Sequence, residues 1–171
     1  MNRSFALLPR SIFIIALTLG LAACGFHLRG LSPLPSALTQ INLLSNSGSN
    51  SFDRALNNAL IRAGVSVSQQ GDQDNTRLEL KINPLQSRDT TLSVTSDNDI
   101  SQLERQLSTV YFIRNKEGKA LFGPRTISTT QTLSNQNAEE STKAAYNASA
   151  MEAMAEQLAQ QLVYDLAYAP L

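Results

Sequence analysis

The spacing of apolar residues changes along the chain, and each change predicts a different element. Phe52, Leu56 and Leu60 are four residues apart, so they share one face of a helix. Gly64 follows this stretch, and a glycine in that place typically ends a helix. The pattern therefore predicts an amphipathic helix that ends at Gly64.

Beyond this helix the period shortens to two, which is the spacing of a half-buried strand. Apolar and charged residues alternate strictly over residues 77–83, with the sequence RLELKIN. Pro84 interrupts the alternation, which indicates a bulge or an edge position. Residues 115–118 (NKEG) are typical of a hairpin turn. Further strands are predicted over residues 39–45, 90–95 and 103–114. A returning strand is predicted over residues 120–122 and 125–133. Residues 65–69 are a short candidate strand.

The last segment carries the strongest helical pattern. Residues 139–167 contain no glycine or proline, which allows a helix of about 43 Å at 1.5 Å per residue. Its apolar stripe includes Met151, Leu158 and Leu162, and a helix of this length must hide that stripe against a sheet or another helix. The element order predicts an α+β fold with two helices packed on one face of a four-stranded, mostly antiparallel sheet.

The first residues have the pattern of a bacterial lipoprotein signal. Arg3 and Arg10 give the start of the chain a positive charge. The apolar run that follows, residues 11–21 (SIFIIALTLGL), is too short for a transmembrane helix, which needs about 20 apolar residues. Leu-Ala-Ala-Cys follows, and Cys24 is the single cysteine of the chain. We predict a lipoprotein-type signal peptide over residues 1–23, cleavage before Cys24, and N-acyl and S-diacylglycerol groups (palmitate among them) on that residue. A plain secretory peptide with a chance cysteine is the alternative.

Cleavage before Cys24 divides the remaining chain into two parts. Residues 24–37 contain prolines, glycine and serines and are predicted to be a lipid-anchored tether. Residues 38–171 are predicted to form a single α+β domain, with no internal repeat. Since an acylated Cys24 leaves no thiol for a disulfide, the domain must rely on packing alone.

Composition argues against several classes of function. The full chain has 14 basic and 14 acidic residues, and removal of Arg3 and Arg10 leaves 12 against 14. A nucleic-acid partner would require a basic excess, so none is predicted. Thr, Ser, Asn and Gln are abundant and there is no Trp. This composition suits a surface that forms hydrogen bonds with few charges.

Candidate catalytic and metal-binding residues are few. His27 is the one histidine, three residues from the predicted anchor, so a hydrolase built on it would have to act at the membrane surface. Residues 97–99 (Asp-Asn-Asp) are too short for a calcium loop, and the Glu139–Glu140 pair suits the positive end of a helix. We predict no enzyme activity, no metal site and no cofactor, and we keep an envelope hydrolase as a minor alternative.

Basic residues on the predicted strands and turns leave two interpretations open. They form either a solvated strand surface or a shallow site for an anionic ligand. The Thr- and Ser-rich strand over residues 125–133 is equally ambiguous, since it is either a wet face or a surface that meets a polar partner. The basic residues concerned are Lys81, Arg88, Arg105, Arg114, Lys116, Lys119 and Arg125.

The residues that follow the predicted cleavage site carry a family resemblance. The run is Cys24, Gly25, Phe26, His27, Leu28, Arg29 and Gly30. It resembles the mature amino terminus of the lipopolysaccharide-assembly lipoprotein family LptE (also called RlpB), in which an aromatic-His-Leu-Arg stretch follows Cys-Gly. The element order of the remaining chain is similar to that family's layout.

The resemblance implies a non-enzymatic role at the outer membrane. Members of the family plug the LptD β-barrel as a 1:1 partner, help to assemble it and assist lipopolysaccharide insertion at the cell surface. Gly25 agrees with sorting to the outer membrane, on its periplasmic side. In the two regions where the family contacts lipopolysaccharide, this chain offers Arg88 and Lys143. A pilotin-like or ligand-binding lipoprotein of another secretion system remains the alternative.

Overall fold

The computed structural model describes residues 34–69 and 77–171, so the predicted signal peptide and the lipidation motif lie outside the described residues. A 3-10 turn, Ser36–Leu38, opens the described chain and includes the last residues of the predicted tether. The elements that follow are β1 (Gln40–Ser45), α1 (Asn50–Arg62), β2 (Ser66–Gln69), β3 (Leu78–Ile82), β4 (Gln86–Val94), β5 (Ile100–Arg114), β6 (Ala120–Leu133) and α2 (Glu140–Leu166).

The sheet is organised around the long strand β5. Strand β6 pairs antiparallel with one edge of β5 over almost its full length. The other edge is shared by β3, which pairs with residues 111–114, and by β4, which pairs with residues 100–108. Beyond β3 the sheet continues through β1 to β2, and both of these pairings are parallel.

The predicted α+β class and the mostly antiparallel sheet are confirmed, whereas the predicted number of four strands is wrong. Within the described residues, six strands form the sheet. Strands β3 and β4 lie one after the other along the same edge of β5, and residues 83–85 separate them. The alternating pattern that Pro84 interrupts in the sequence therefore forms two strands. The short parallel strand β2 is the other addition. Its four residues include no strong alternation of apolar and charged positions.

Helix α1 connects the parallel strands β1 and β2. The Ser49 hydroxyl accepts a hydrogen bond from the Phe52 amide at 3.3 Å and caps the first turn. Asp53 accepts hydrogen bonds from Ser45 at 2.5 Å and Ser47 at 2.7 Å, which ties the start of the helix to β1. Gly64 has φ +84°, so the predicted glycine end of the helix is confirmed.

The predicted final helix is also confirmed, but its two ends differ in burial. Every buried residue of α2 lies at or after Ala150, and residues 140–149 are exposed or half-buried. The C-terminal part of α2 packs with α1 over one face of the sheet. Among the described residues, no helix has both the length and the apolar character required to cross a membrane.

This uneven cover divides the described chain into two halves. The covered half (residues 34–69, 77–85, 107–129 and 150–171) contains the main hydrophobic core. The projecting half (residues 86–106 and 130–149) extends beyond that core. The largest fully buried side chains of the core are Tyr111, Phe52, Leu38, Ile41, Leu56, Leu60, Leu80, Ile82, Leu107, Ile113 and Met154.

Candidate partner and lipid-contact surface

The projecting half is only sparsely buried, with Leu133 and Gln136 as its buried residues. No residue of β4 is buried, and residues 100–106 of β5 are exposed or half-buried. Strands of an ordinary sheet bury at least one face against a core. The projecting half therefore presents an unusually large strand surface to its surroundings.

The face opposite the helices is lined by hydroxyl and amide side chains in register. Even-numbered residues of β5 lie on this face, because odd-numbered Tyr111 contacts α2. Cross-strand pairing sets three rows, in which Arg88 and Glu104 are the charged members. The rows are Gln86–Ser108–Ser128, Arg88–Gln106–Thr130 and Thr90–Glu104–Thr132.

The helix side of the projecting half holds a bidentate ion pair. Arg105 donates from Nε to Asp89 Oδ1 at 2.7 Å and from Nη2 to Asp89 Oδ2 at 2.5 Å. This hydrogen bonding, with a smaller charge–charge contribution, lowers the pKa of Asp89 despite its partial burial. Because Arg105 is paired with Asp89 of β4, we no longer consider it a candidate ligand for an anion.

Two other basic residues of the predicted shallow site also have partners within the described chain. Arg114 pairs with Glu79, and Lys81 lies over the Phe112 ring at 5.7 Å. The sheet therefore does not assemble one cationic patch from the seven candidates. Arg88 lies on the open face with no acidic partner within ion-pair distance in the described chain.

The two lipopolysaccharide-contact candidates are not brought together. Arg88 belongs to the face opposite the helices, whereas Lys143 lies in the first turn of α2 on the helix side. Lys143 Nζ is 2.7 Å from Glu140 Oε2, so its charge is partly compensated. The other candidates (Cys24, Gly25, Phe26, His27, Leu28 and Arg29) lie outside the described residues.

Three large apolar side chains are exposed at the free end of the projecting half. Leu92, Val94 and Ile100 are 50%, 51% and 43% exposed on either side of the turn between β4 and β5. The turn contains Asp97 and Asp99, and the described residues hold no cluster of three or more metal-ligating side chains. The tip therefore combines apolar and acidic groups.

A polar cluster that the sequence did not indicate, formed by buried Tyr111, half-buried Asp165 and exposed Arg125, fastens α2 to the sheet. The Tyr111 hydroxyl donates to Asp165 Oδ2 at 2.6 Å, and Arg125 donates to both Asp165 oxygens at 3.0 and 2.7 Å. The Arg125 hydrogen bonds lower the pKa of Asp165, while burial and then the Asp165 hydrogen bond raise the pKa of Tyr111. These residues are 40 and 54 positions from Asp165, so no local pattern could reveal the cluster.

A shallow cleft of about 620 Å³ runs between the outer edge of β6 and α2. All of its lining side chains are uncharged. Thr129 is 5% exposed, and its hydroxyl oxygen is buried with no hydrogen-bond partner among the described residues. The lining residues are Ser128, Thr129, Thr130, Gln157, Gln160, Gln161 and Tyr164.

Comparison with known proteins adds a family and a fold. The model of the family LptE, described as lipopolysaccharide-assembly, matches residues 38–166 of this chain. A comparison with curated proteins finds no match.

Solved structures of three bacterial lipoproteins are similar to this chain. A minor lipoprotein from Acinetobacter baumannii has a TM-score of 0.66 at 18% identity, over 78% of this chain and 93% of that chain. Rare lipoprotein B from Shewanella oneidensis has a TM-score of 0.61 at 16% identity, over 75% and 93%. An uncharacterized lipoprotein B from Nitrosomonas europaea has a TM-score of 0.62 at 18% identity, over 84% and 90%. At these identities the likeness shows a shared fold.

Proposed function

Since the chain belongs to the LptE family of lipopolysaccharide-assembly proteins, we propose that it is an outer-membrane lipoprotein that plugs the LptD β-barrel. In this role it helps to assemble the barrel and assists lipopolysaccharide insertion at the cell surface. Its work is non-enzymatic binding. The anchor is the acylated Cys24, on the periplasmic side of the membrane.

The observation that carries the plug role is the open face of the projecting half. The lumen of a large transmembrane barrel is polar and wet, so a plug needs a hydrogen-bonding surface rather than an apolar one. The three rows from Gln86 to Thr132 provide hydroxyl and amide groups, with Arg88 and Glu104 as their charged members. A surface of this kind exchanges hydrogen bonds with lumen side chains at little desolvation cost.

The length of the projecting strands also fits a barrel lumen. The part of β5 in the projecting half, residues 100–106 of the strand, extends roughly 24 Å at about 3.4 Å per residue. The apolar band of an outer-membrane barrel is about 25 Å tall. A segment of this length matches the height of the band and leaves the covered half on one side of it.

For the lipopolysaccharide contact we propose Arg88 as the principal basic residue and Lys143 as a weaker one. A guanidinium pairs with phosphate oxygens in a bidentate manner. Arg88 has no acidic partner within ion-pair distance in the described chain, whereas Lys143 is already paired with Glu140. The exposed Leu92 and Val94 lie on the same strand as Arg88 and offer apolar contact for acyl chains.

Co-purification tests the proposal directly. The lipidated protein with an affinity tag is expressed with LptD of the same organism, extracted in detergent and analysed for stoichiometry. We expect a 1:1 complex with the barrel, together with outer-membrane localisation that is lost in Cys24→Ser. Recovery of the lipoprotein without a barrel, together with blocked secretion of another substrate on depletion, would favour the pilotin-like alternative.

A further inference from the structure

In the part of the chain that the structure describes, the sheet has three free edges, and two of them have features that discourage pairing with another chain. Natural proteins protect edge strands by keeping them short, by placing charges on them or by bulges. Strand β2 has only four residues. Strand β4 carries Arg88 and Asp89 and has register shifts between Thr91 and Val94. These two edges are poor templates for an added strand.

The outer edge of β6 differs along residues 126–133. This stretch (TISTTQTL) has no charge and no proline. Its pairing with β5 is regular from Val110–Thr126 to Leu103–Leu133. No other strand of the described chain pairs with β6. In an antiparallel strand every second residue directs its N–H and C=O outward, so this edge presents a regular row of backbone donors and acceptors.

The features of β6 that discourage pairing with another strand lie at its other end. Pro124 and Arg125 lie where the register with β5 shifts, close to Phe122. The same strand is therefore guarded at its start and unguarded over its last eight residues, 126–133. An unguarded edge of this length is an aggregation hazard unless something covers it.

The cleft beside this edge is suited to one more extended chain. Ser128, Thr129 and Thr130 form one wall and α2 forms the other with Gln157 and Gln161. A peptide that enters between an edge strand and a helix gains affinity from backbone hydrogen bonds and specificity from the cleft side chains. Since the cleft is uncharged and rich in amides and hydroxyls, it favours an uncharged polar segment.

The Thr129 hydroxyl supports the same conclusion independently. Its oxygen is buried and has no partner in the described chain, a state that costs about 1–3 kcal/mol for a polar group. The residue lines the cleft. A polar chain placed along β6 would bring a partner to this oxygen.

We propose that residues 126–133 of β6 pair with an extended, uncharged segment of the barrel partner, which adds a seventh strand in the cleft between β6 and α2. The inference rests on the proposed function, since it takes the barrel as the source of the segment. It assigns the contact to backbone pairing at one edge, in addition to side-chain contacts on the open face.

Amide hydrogen exchange on the purified complex tests the backbone pairing. The lipidated protein is compared alone and in complex with LptD in the same detergent, with fragmentation that resolves single residues. We expect every second amide over residues 126–133 to exchange roughly 100-fold more slowly in the complex. Residues 66–69 of β2 provide the internal control, because that edge should stay unchanged.

Disulfide mapping tests the register. Cys24 is the single native cysteine of this chain and is acylated under the proposed function, so an introduced cysteine is the one free thiol that this chain contributes. Ser128→Cys, Thr130→Cys and Thr132→Cys are combined with cysteines at successive positions of barrel segments. We expect partners that shift by two residues for each step along β6. Gln86→Cys and Thr90→Cys on β4 are the matched controls, and we expect no such register from them.

The outcomes separate the inference from the proposed function. A 1:1 complex with alternating protection and a two-residue register supports both. A 1:1 complex without amide protection on β6, or with cross-links that follow no register, overturns strand addition and leaves the barrel partnership standing. Homodimers joined through residues 128, 130 and 132 overturn it in favour of a second copy. Absence of any complex with the barrel overturns the proposed function and the inference together.

Discussion

The two ends of strand β5 belong to one continuous element but are stabilised in different ways. From residue 107 to residue 113 every second side chain is buried beneath the helices. From residue 100 to residue 106 none is buried, and the strand is held by its ladders to β4 and β6 and by the Arg105–Asp89 ion pair. The contrast indicates that hydrophobic packing stabilises the covered half, while strand pairing and polar contacts hold most of the projecting half.

Helix α2 repeats the same division. Its C-terminal part buries Leu158, Leu162 and Leu166 in the core. Its N-terminal part is tied down by polar contacts, in which the Ser134 amide donates to the Tyr146 hydroxyl at 3.4 Å and Gln136 exchanges two hydrogen bonds with Asn147. Hydrogen bonds contribute about 1 kcal/mol each, far less than a buried aliphatic cluster. The projecting half should therefore open locally at a lower free energy than the covered half.

The largest expected effect comes from truncating the same residue type at the two ends of β5. Ile113 is fully buried and Ile100 is 43% exposed. We expect Ile113→Ala to lower the free energy of unfolding by about 2–5 kcal/mol, because it removes core contacts and leaves a cavity. Ile100→Ala should change it by no more than about 0.5 kcal/mol. Urea denaturation of the Cys24→Ser protein measures both, and equal losses would contradict the division into two halves.

The next largest effect concerns the cluster that fastens α2 to the sheet. Tyr111→Phe removes the hydroxyl that donates to Asp165 but keeps the buried ring. We expect a loss of about 1.5–3 kcal/mol, the usual contribution of a hydrogen bond to a charged group. Thermal unfolding gives the value. Tyr146→Phe is the matched control in the projecting half, and a loss as large as that of Tyr111→Phe would contradict the comparison.

The helices and most strand positions were predictable from the sequence in both halves, whereas the long-range contacts were not. The helical stripe predicted α1 and its end at Gly64, and the long gap without glycine or proline predicted α2 to within about a residue at each end. The alternation in residues 103–114 placed Leu107, Tyr111 and Ile113 on one face, as the structure confirms. These patterns exist because packing against a core imposes a period.

The pattern is weakest in β4, because no residue of that strand is buried. Residues 86–89 (QSRD) contain no apolar position, so the start of β4 was missed. The ion pair of Asp89 with Arg105 and the Thr129 cleft depend on strand register and helix placement over many residues. A single sequence holds no local signal for such contacts. The lipidation motif from Cys24 to Arg29 stays a prediction, since it lies outside the described residues.

Acid should weaken both halves through their ion pairs, and more strongly the covered one. Asp89 and Asp165 have folded-state pKa values below their ordinary 3.8, chiefly because arginine hydrogen bonds favour the charged forms. Their contribution to stability is therefore fully present well above pH 3.8 and is lost as pH falls through the lower folded-state pKa. We expect the free energy of unfolding to be nearly flat between about pH 7 and pH 5 on this account and to decline below about pH 4.

Asparagine variants identify the carboxylate responsible. Asp165→Asn should remove more of the acid dependence than Asp89→Asn, because Asp165 accepts hydrogen bonds from both Tyr111 and Arg125. Urea titrations at a series of pH values measure the difference. A wild-type curve that rises in acid, or an Asp89→Asn protein with the flatter profile, would be inconsistent with this assignment.

The smallest effect on stability is expected at the two basic candidates, where the effect on binding should be larger. Arg88→Ala and Lys143→Ala should each change the free energy of unfolding by no more than about 0.5 kcal/mol, since one side chain is exposed without an ion pair and the other forms an i,i+3 surface pair. Binding of purified lipopolysaccharide to the Cys24→Ser protein should weaken about tenfold in Arg88→Ala, which corresponds to 1.4 kcal/mol. Lys143→Ala should weaken it less, because Glu140 already compensates that charge. Arg88→Lys tests whether charge alone is sufficient, since it keeps the positive charge but not the planar guanidinium. If the guanidinium binds phosphate in a bidentate manner, this variant should keep only part of the wild-type affinity.

A greater loss of affinity from Lys143→Ala than from Arg88→Ala would move the lipid contact from the open face to the helix side of the projecting half.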